Sequence, residues 1–251
     1  MPTDENAGAY DRFARFYDKH WGSGPNSYAI RALPILDQLL LASLPKGGRI
    51  LDLCCGNGQL AAAMLQRDLQ VTGVDGSGEL LRYARHHAPA AEFVLADARA
   101  FTLPTAYHGA LSIFDSLNHM MSLEDLTRVF VNVAAVLVPE GRFVFDLNSE
   151  EGFRARWRGS SGIVEEDHAC VIRSAYAPAD QIARMDVAMF ERASGGWRRA
   201  DITFFERCYS KSEVLSALGE ARFVGTVAYD AQQELGMTGM VGRTFFVAQK
   251  P

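Results

Sequence analysis

Asp52, Asp75 and Asp97 each close, or nearly close, a short apolar stretch, and the first two are separated by 75 − 52 = 23 residues. A carboxylate accepts hydrogen bonds from both hydroxyls of a ribose or from an exocyclic amino group, and it attracts a cation at short range. Asp75 is placed for the ribose of an adenosine, Asp97 for an adenine amino group, and Asp52 for a positive charge held directly or through water. Together they describe a pocket for a nucleoside with a positively charged tail. Between Asp52 and the next helix runs Cys54-Cys55-Gly56-Asn57-Gly58. Glycines at such a turn let the backbone approach a ligand without an intervening side chain. Counted as GxGxxA, with Ala61 third, the loop also suits a nicotinamide dinucleotide seated on a helix N-terminus. That reading leaves Asp52 and Asp97 unexplained.

His119 follows the fourth strand, where a substrate would meet the reacting atom. It is either a base titrating near neutrality or a histidine packing at a helix start. His168 lies on an alternating strand and is expected to face solvent, while His86 and His87 close a helix and suit its dipole. Cys54 and Cys55 read as small buried residues, because a reactive thiol needs an electropositive setting. Tyr17 and Trp21 are core or lid aromatics. Met237 and Met240 either shape a cavity or cover the last strands, and Trp157, Tyr176 and Phe190 suggest a moderately apolar cavity. No HxxxH-like ligand set is present, so no metal is expected.

The elements that must position these residues follow from periodicity. Two helices, one bearing Tyr10, Phe13, Phe16 and Tyr17 and one bearing Leu33, Leu36, Leu40 and Leu44, precede a strand over Arg49–Leu53. There follow helix 59–66, strand 70–75, helix 79–87, strand 92–96, strand 110–114, helix 123–137 and strand 142–148. Strands alternating with amphipathic helices imply right-handed crossovers and a doubly wound α/β core. Beyond Asn148, the stretches 163–177, 182–192 and 197–209 alternate in an antiparallel pattern. Ser210 with Glu213 is a capping box for a helix to Ala221, and strands 222–229 and 243–249 finish the chain.

With 251 residues, 48% hydrophobic and 22% charged, the chain is long enough for a core that needs no disulfide or metal. A net charge of −5 and the lack of a basic run argue against nucleic acid. Cys54, Cys55, Cys170 and Cys208 show no CxxC spacing and read as reduced thiols in a cytoplasm. Residues 1–9 do not resemble a signal peptide, and apolar runs such as Val133–Val138 are too short to span a bilayer. A soluble protein is expected, without nucleic-acid or membrane partners, and a homodimer is open.

Ile50–Gly58, ILDLCCGNG, resembles the first motif of class I S-adenosylmethionine-dependent methyltransferases, with Cys54 in place of the first glycine. Val74–Ser77 resembles the ribose motif, Ala96–Ala98 the adenine motif, Ile113–His119 the fourth-strand motif, and Pro139–Asp146 the entry to the fifth strand. Tyr10–Trp21 is similar to the lid helix of small-molecule members, and the strand insertion to that of amino-sugar N-methyltransferases and related natural-product enzymes. The resemblance implies a Rossmann-like, mostly parallel sheet with an antiparallel last strand, in a single domain. Residues 1–45 would be a helical lid, 49–150 the cofactor core, 160–209 an antiparallel insertion and 210–251 the rest of the core. It implies S-adenosylmethionine as cofactor, S-adenosylhomocysteine as product, and a small-molecule acceptor of the methyl group at nitrogen or oxygen. Asp52, Cys54, Gly56, Asn57 and Gly58 would line the methionine part, with Tyr17 closing over it. Asp75, Gly76 and Ser77 would bind ribose, Asp97, Ala98 and Arg99 adenine, and Phe114 and Asp115 would border the methyl group. His119 is then the candidate catalytic base. A protein that keeps the cofactor without transferring methyl, such as a cyclase, or a nicotinamide-dependent oxidoreductase, stands as the alternative.

Overall fold

In a computed structural model, which describes residues 3–22, 24 and 27–251 (of 3–7, the backbone only), α1 (Thr3–His20) and α2 (Tyr28–Leu39) precede strand β1 (Arg49–Leu53). Then come α3 (Gln59–Leu65), β2 (Gln70–Asp75), α4 (Gly78–His87), β3 (Glu92–Leu95), β4 (Tyr107–Ser112), α5 (Leu123–Val136) and β5 (Leu137–Asn148). Ile50 and Leu51 of β1 are both fully buried, as a strand covered on two faces requires. Ile50 packs among Leu36, Leu60 and Met64 from α2 and α3. Leu51 packs among Val129, Phe130 and Leu218 on the other side.

A short helix α6 (Glu150–Arg156) leads to an antiparallel sheet of β6 (Gly159–Val164), β7 (His168–Ala177), β8 (Ile182–Ala193) and β9 (Gly196–Arg207). Helix α7 (Lys211–Glu220), β10 (Val224–Asp230) and β11 (Arg243–Gln249) return to the main sheet, whose order is β10-β11-β5-β4-β1-β2-β3. Strand β11 runs antiparallel to both β10 and β5, and β5, β4, β1, β2 and β3 pair in parallel. The strand order reverses between β1 and β4, and crevices open at the carboxyl ends of strands at such a switch point. Asp52, Asp75 and Asp115 are therefore gathered there by topology. The inner face of the four-stranded sheet, with Val187, Ile202 and Phe204, packs on Ala9, Phe13 and Phe16 of α1, so the helix bridges the two sheets.

Several elements depart from the sequence reading, among them the stretch 163–177, which is divided between β6 and β7. Strand β4 runs from Tyr107 to Ser112 rather than over 110–114, because Phe114 and Asp115 take positive φ of 68° and 52° and turn the chain out of the sheet. Strand β5 begins at Leu137, paired with Tyr107, and a register shift absorbs Pro139–Gly141 instead of a separate turn. Helix α6 was not anticipated; Glu150 and Glu151 open it and Arg154 and Arg156 close it, in keeping with the helix dipole. The capping box of Ser210 and Glu213 forms as expected.

Candidate active site

Asp75, at the end of β2, is fixed by two backbone donors. Gly56 N–H reaches its Oδ2 and Ser77 N–H its Oδ1, both at 2.8 Å. Burial raises the Asp75 pKa, and the N–H groups work against that rise. Gly56 has φ +54°, and a Cβ there would stand 3.6 Å from the Tyr17 ring, so the loop leaves a cradle between itself and α1. Asp97 accepts from the backbone N–H and Nε of Arg99, each at 2.8 Å, and this pairing holds it below the usual carboxylate range. Burial pushes the Cys54 and Cys55 thiols well up, which keeps them protonated.

Beyond β4 lies a buried cluster of acids and bases. The Asp115 carboxylate accepts from Arg243 Nη2 at 3.0 Å and from Asn148. Asp146 accepts from Arg243 Nη1 at 3.1 Å, from the Asp115 N–H at 2.8 Å and from the Tyr28 hydroxyl. Burial opposes the Arg243 charge, but Asp115, Tyr28 and Asp146 outweigh it and raise its pKa well above the ordinary value. His119 Nδ1 lies 2.8 Å from the Phe205 carbonyl and therefore carries the proton; Nε2 accepts from the Tyr10 hydroxyl at 2.9 Å. Burial lowers the His119 pKa, so the ring is neutral.

A cavity of about 660 Å³ joins the two regions, running from Asp75 and Asp97 under α1 to His119 and Glu206. The residues fit an adenosine-bearing cation: an immobilised carboxylate, a glycine cradle and an acidic wall, closed by Tyr10, Phe13, Tyr17 and Trp21. S-adenosylmethionine would be held by Asp75, Gly56 and the Asp97–Arg99 turn.

A family model described as a methyltransferase domain matches residues 50–141. The chain is 27% identical over 247 residues to the putative methyltransferase YqeM of Bacillus subtilis, covering 96% of this chain and 97% of that one. It is 28% identical over 176 residues to dTDP-3-amino-3,4,6-trideoxy-alpha-D-glucopyranose N,N-dimethyltransferase of Streptomyces venezuelae, covering 69% and 73%. The solved structure of SAM-bound CalS10, an amino pentose methyltransferase from Micromonospora echinaspora, matches with a TM-score of 0.70 at 20% identity, over 95% of each chain. Together these similarities support an S-adenosylmethionine-dependent methyltransferase.

In this methyltransferase the structure brings Tyr17, Cys54, Gly56, Asp75, Gly76, Ser77, Asp97, Ala98, Arg99, Phe114, Asp115 and His119 to the wall of one cavity. Asp52, Asn57 and Gly58 are not among the lining residues. Asp52 is buried behind the loop. Asn57 turns away and donates to Asp18 Oδ1 at 2.8 Å and to the Gly22 carbonyl at 2.9 Å, tying the loop to α1. Gly58, at φ +75°, is required by packing, because a Cβ would meet Ala84 Cα at 2.8 Å. His168 is buried rather than solvent-facing, with Nε2 2.7 Å from His20 Nε2 and Nδ1 2.6 Å from Asp167. Trp157 and Met240 line the cavity. Met237 packs in the core, Tyr176 stacks on Phe153, and Phe190 lies under Arg199.

The sequence reading missed Tyr10, Tyr28, Asp146, Glu206 and Arg243 as site residues. Their only sequence signal is charge or a hydroxyl within an apolar strand or helix face.

Proposed function

We propose that this methyltransferase moves the methyl group of S-adenosylmethionine to a nitrogen or oxygen of a small molecule, with the whole chain acting as one domain and α1 as its lid. The observation that carries this reading is the continuous cavity, which has carboxylates suited to a nucleoside at one end and a neutral histidine at the other. When bound, the cofactor supplies a methyl group already activated on a sulfonium. The protein therefore has to orient the acceptor, exclude water and remove a proton. His119 Nε2 is the proton acceptor, and its Nδ1–H bond to Phe205 fixes the ring and the tautomer. Tyr10 holds that lone pair until an acceptor replaces it. Phe13 and Tyr17 on α1, with Trp21 just beyond its end, shed water from the reacting centre.

No helix among the described residues is long and apolar enough to cross a membrane. The four cysteines are free, in keeping with a cytoplasmic enzyme. Sedimentation would decide between a monomer and a homodimer.

The test is thermal unfolding with S-adenosylhomocysteine and with NAD, each at a hundredfold the dissociation constant expected of a specific site. S-adenosylhomocysteine should add about 2.7 kcal/mol, or roughly 5 to 10 °C at this length, while NAD adds nothing. A shift with NAD alone would sink the reading.

A further inference from the structure

Glu206 on β9 is not explained by cofactor binding. It is 5% exposed and lines the far end of the cavity. Its Oε2 has no hydrogen-bond partner among the described residues, and its Oε1 stands 3.9 Å from His119 Nε2. The Asn148 side chain hydrogen-bonds to the Glu206 carboxyl, but an oxygen left unmatched in the interior is destabilising unless something fills the gap.

The distance between Oε1 and Nε2 identifies what would fill it. At 3.9 Å the two are too far apart for a mutual hydrogen bond, but one atom placed about 2.9 Å from each would bond to both. Beside a cation, which favours the ionised carboxylate, both are hydrogen-bond acceptors, Nε2 because Nδ1 carries the ring proton. The bridging atom must therefore supply two hydrogens. Water meets that need before an acceptor arrives; among methyl acceptors an alcohol has one such hydrogen, whereas an ammonium or a primary amine has at least two.

Charge favours the same partner. Facing Glu206 are Tyr10 from α1, Asp115 and His119 after β4, Asp146 from β5 and Arg243 from β11. Arg243 is already shared between Asp115 and Asp146. Burial and the Asp115 charge raise the Glu206 pKa well above normal against the pull of Arg243, and an arriving cation would bring it back down.

We propose that Glu206 and His119 Nε2 together form the acceptor subsite, and that it selects a protonated aliphatic amine. This rests on the methyltransferase reading and narrows it to nitrogen. The ammonium displaces the Tyr10 hydroxyl, donates to both partners and passes one proton to one of them. The nitrogen keeps the electron pair with which it attacks.

The experiment measures S-adenosylhomocysteine formation by the full chain with matched probes: glucosamine and glucose, 2-phenylethylamine and 2-phenylethanol, cyclohexylamine and cyclohexanol. Wild-type protein should turn over at least one amine with kcat/KM about 100-fold or more above its alcohol. Glu206→Gln should lower kcat/KM for that amine by about 100-fold or more, chiefly through KM, as loss of a buried charge partner implies. In wild-type protein kcat/KM falls as pH is lowered and Glu206 is protonated; the variant loses that contribution to the acid limb. Calorimetric S-adenosylhomocysteine affinity and the melting temperature should hold in the variant. If Glu206→Gln does not fold, the amine–alcohol comparison in wild-type protein decides. Equal use of an alcohol, no turnover of any amine by protein that binds S-adenosylhomocysteine, or amine turnover indifferent to Glu206→Gln would each overturn the subsite and leave the methyltransferase reading standing. Failure of wild-type protein to bind S-adenosylmethionine would overturn both.

Discussion

Asp52 sits behind the glycine loop, where burial and, to a smaller extent, the charge of Asp75 push its pKa up to about 8. In the unfolded chain the ordinary value is 3.8, so the folded state binds the extra proton between the two values. Stability from this group is complete below the lower value and is lost as pH rises towards 8. Cofactor-free Asp52→Asn should therefore melt close to wild type at acid pH and above it at pH 8. A difference independent of pH would refute the assignment. Asp75→Ala removes the fixed carboxylate and should weaken S-adenosylhomocysteine binding by at least about tenfold, since a hydrogen bond to a charged group is worth about 1.5 kcal/mol or more; calorimetry reads this directly. His119→Ala should lower turnover by about 100-fold or more, the range for a positioned base, with S-adenosylhomocysteine affinity held. That Asp75 and Asp97 line one cavity was legible in the sequence because carboxylates recur in register after successive apolar strands. Glu206 was not, because alternation on β9 says which side it faces and nothing about the histidine 206 − 119 = 87 positions earlier that it would meet.

Among the elements, those buried on both faces were read best. Strands β1, β2 and β11 keep the limits that their apolar runs suggested. The end of β4 escaped because two consecutive left-handed residues, Phe114 and Asp115, have no glycine to announce them. Helix α6 escaped because seven residues carry too little periodicity to declare a helix. Ser210, which accepts from Glu213 N–H at the start of α7, supports a direct check: Ser210→Ala should cost about 1 kcal/mol and lower the melting temperature by roughly 2 to 4 °C. At Gly58 the positive φ and the nearness of Ala84 leave no room for a methyl group. Gly58→Ala should separate α3 from α4 and destabilise the protein by more than the roughly 1 kcal/mol of a strained φ alone, read by denaturant midpoint.

At the scale of the molecule, a net charge of −5 surrounds a cavity whose wall carries Asp75, Asp97, Asp115 and Glu206. Such a field speeds the approach of cations and is screened by salt. S-adenosylmethionine carries a sulfonium charge that S-adenosylhomocysteine lacks. In stopped-flow binding, the association rate of the first should fall between about 0.01 M and 0.15 M salt, as the Debye length shrinks from about 30 to 8 Å. The second should change little. Equal salt slopes would count against electrostatic attraction by the cavity.

The cluster around Arg243 also gathers chain segments that are made at very different times. Tyr28, Asp115 and Asp146 meet a guanidinium that lies 97 residues beyond Asp146. On the ribosome, which adds about 5 to 20 residues per second, these acids emerge long before their countercharge, and strand β11 must slot between β10 and β5 to deliver it. A nascent chain can thus form the Asp75 end of the cavity early, while the end beside Arg243 stays unassembled until synthesis has passed that residue.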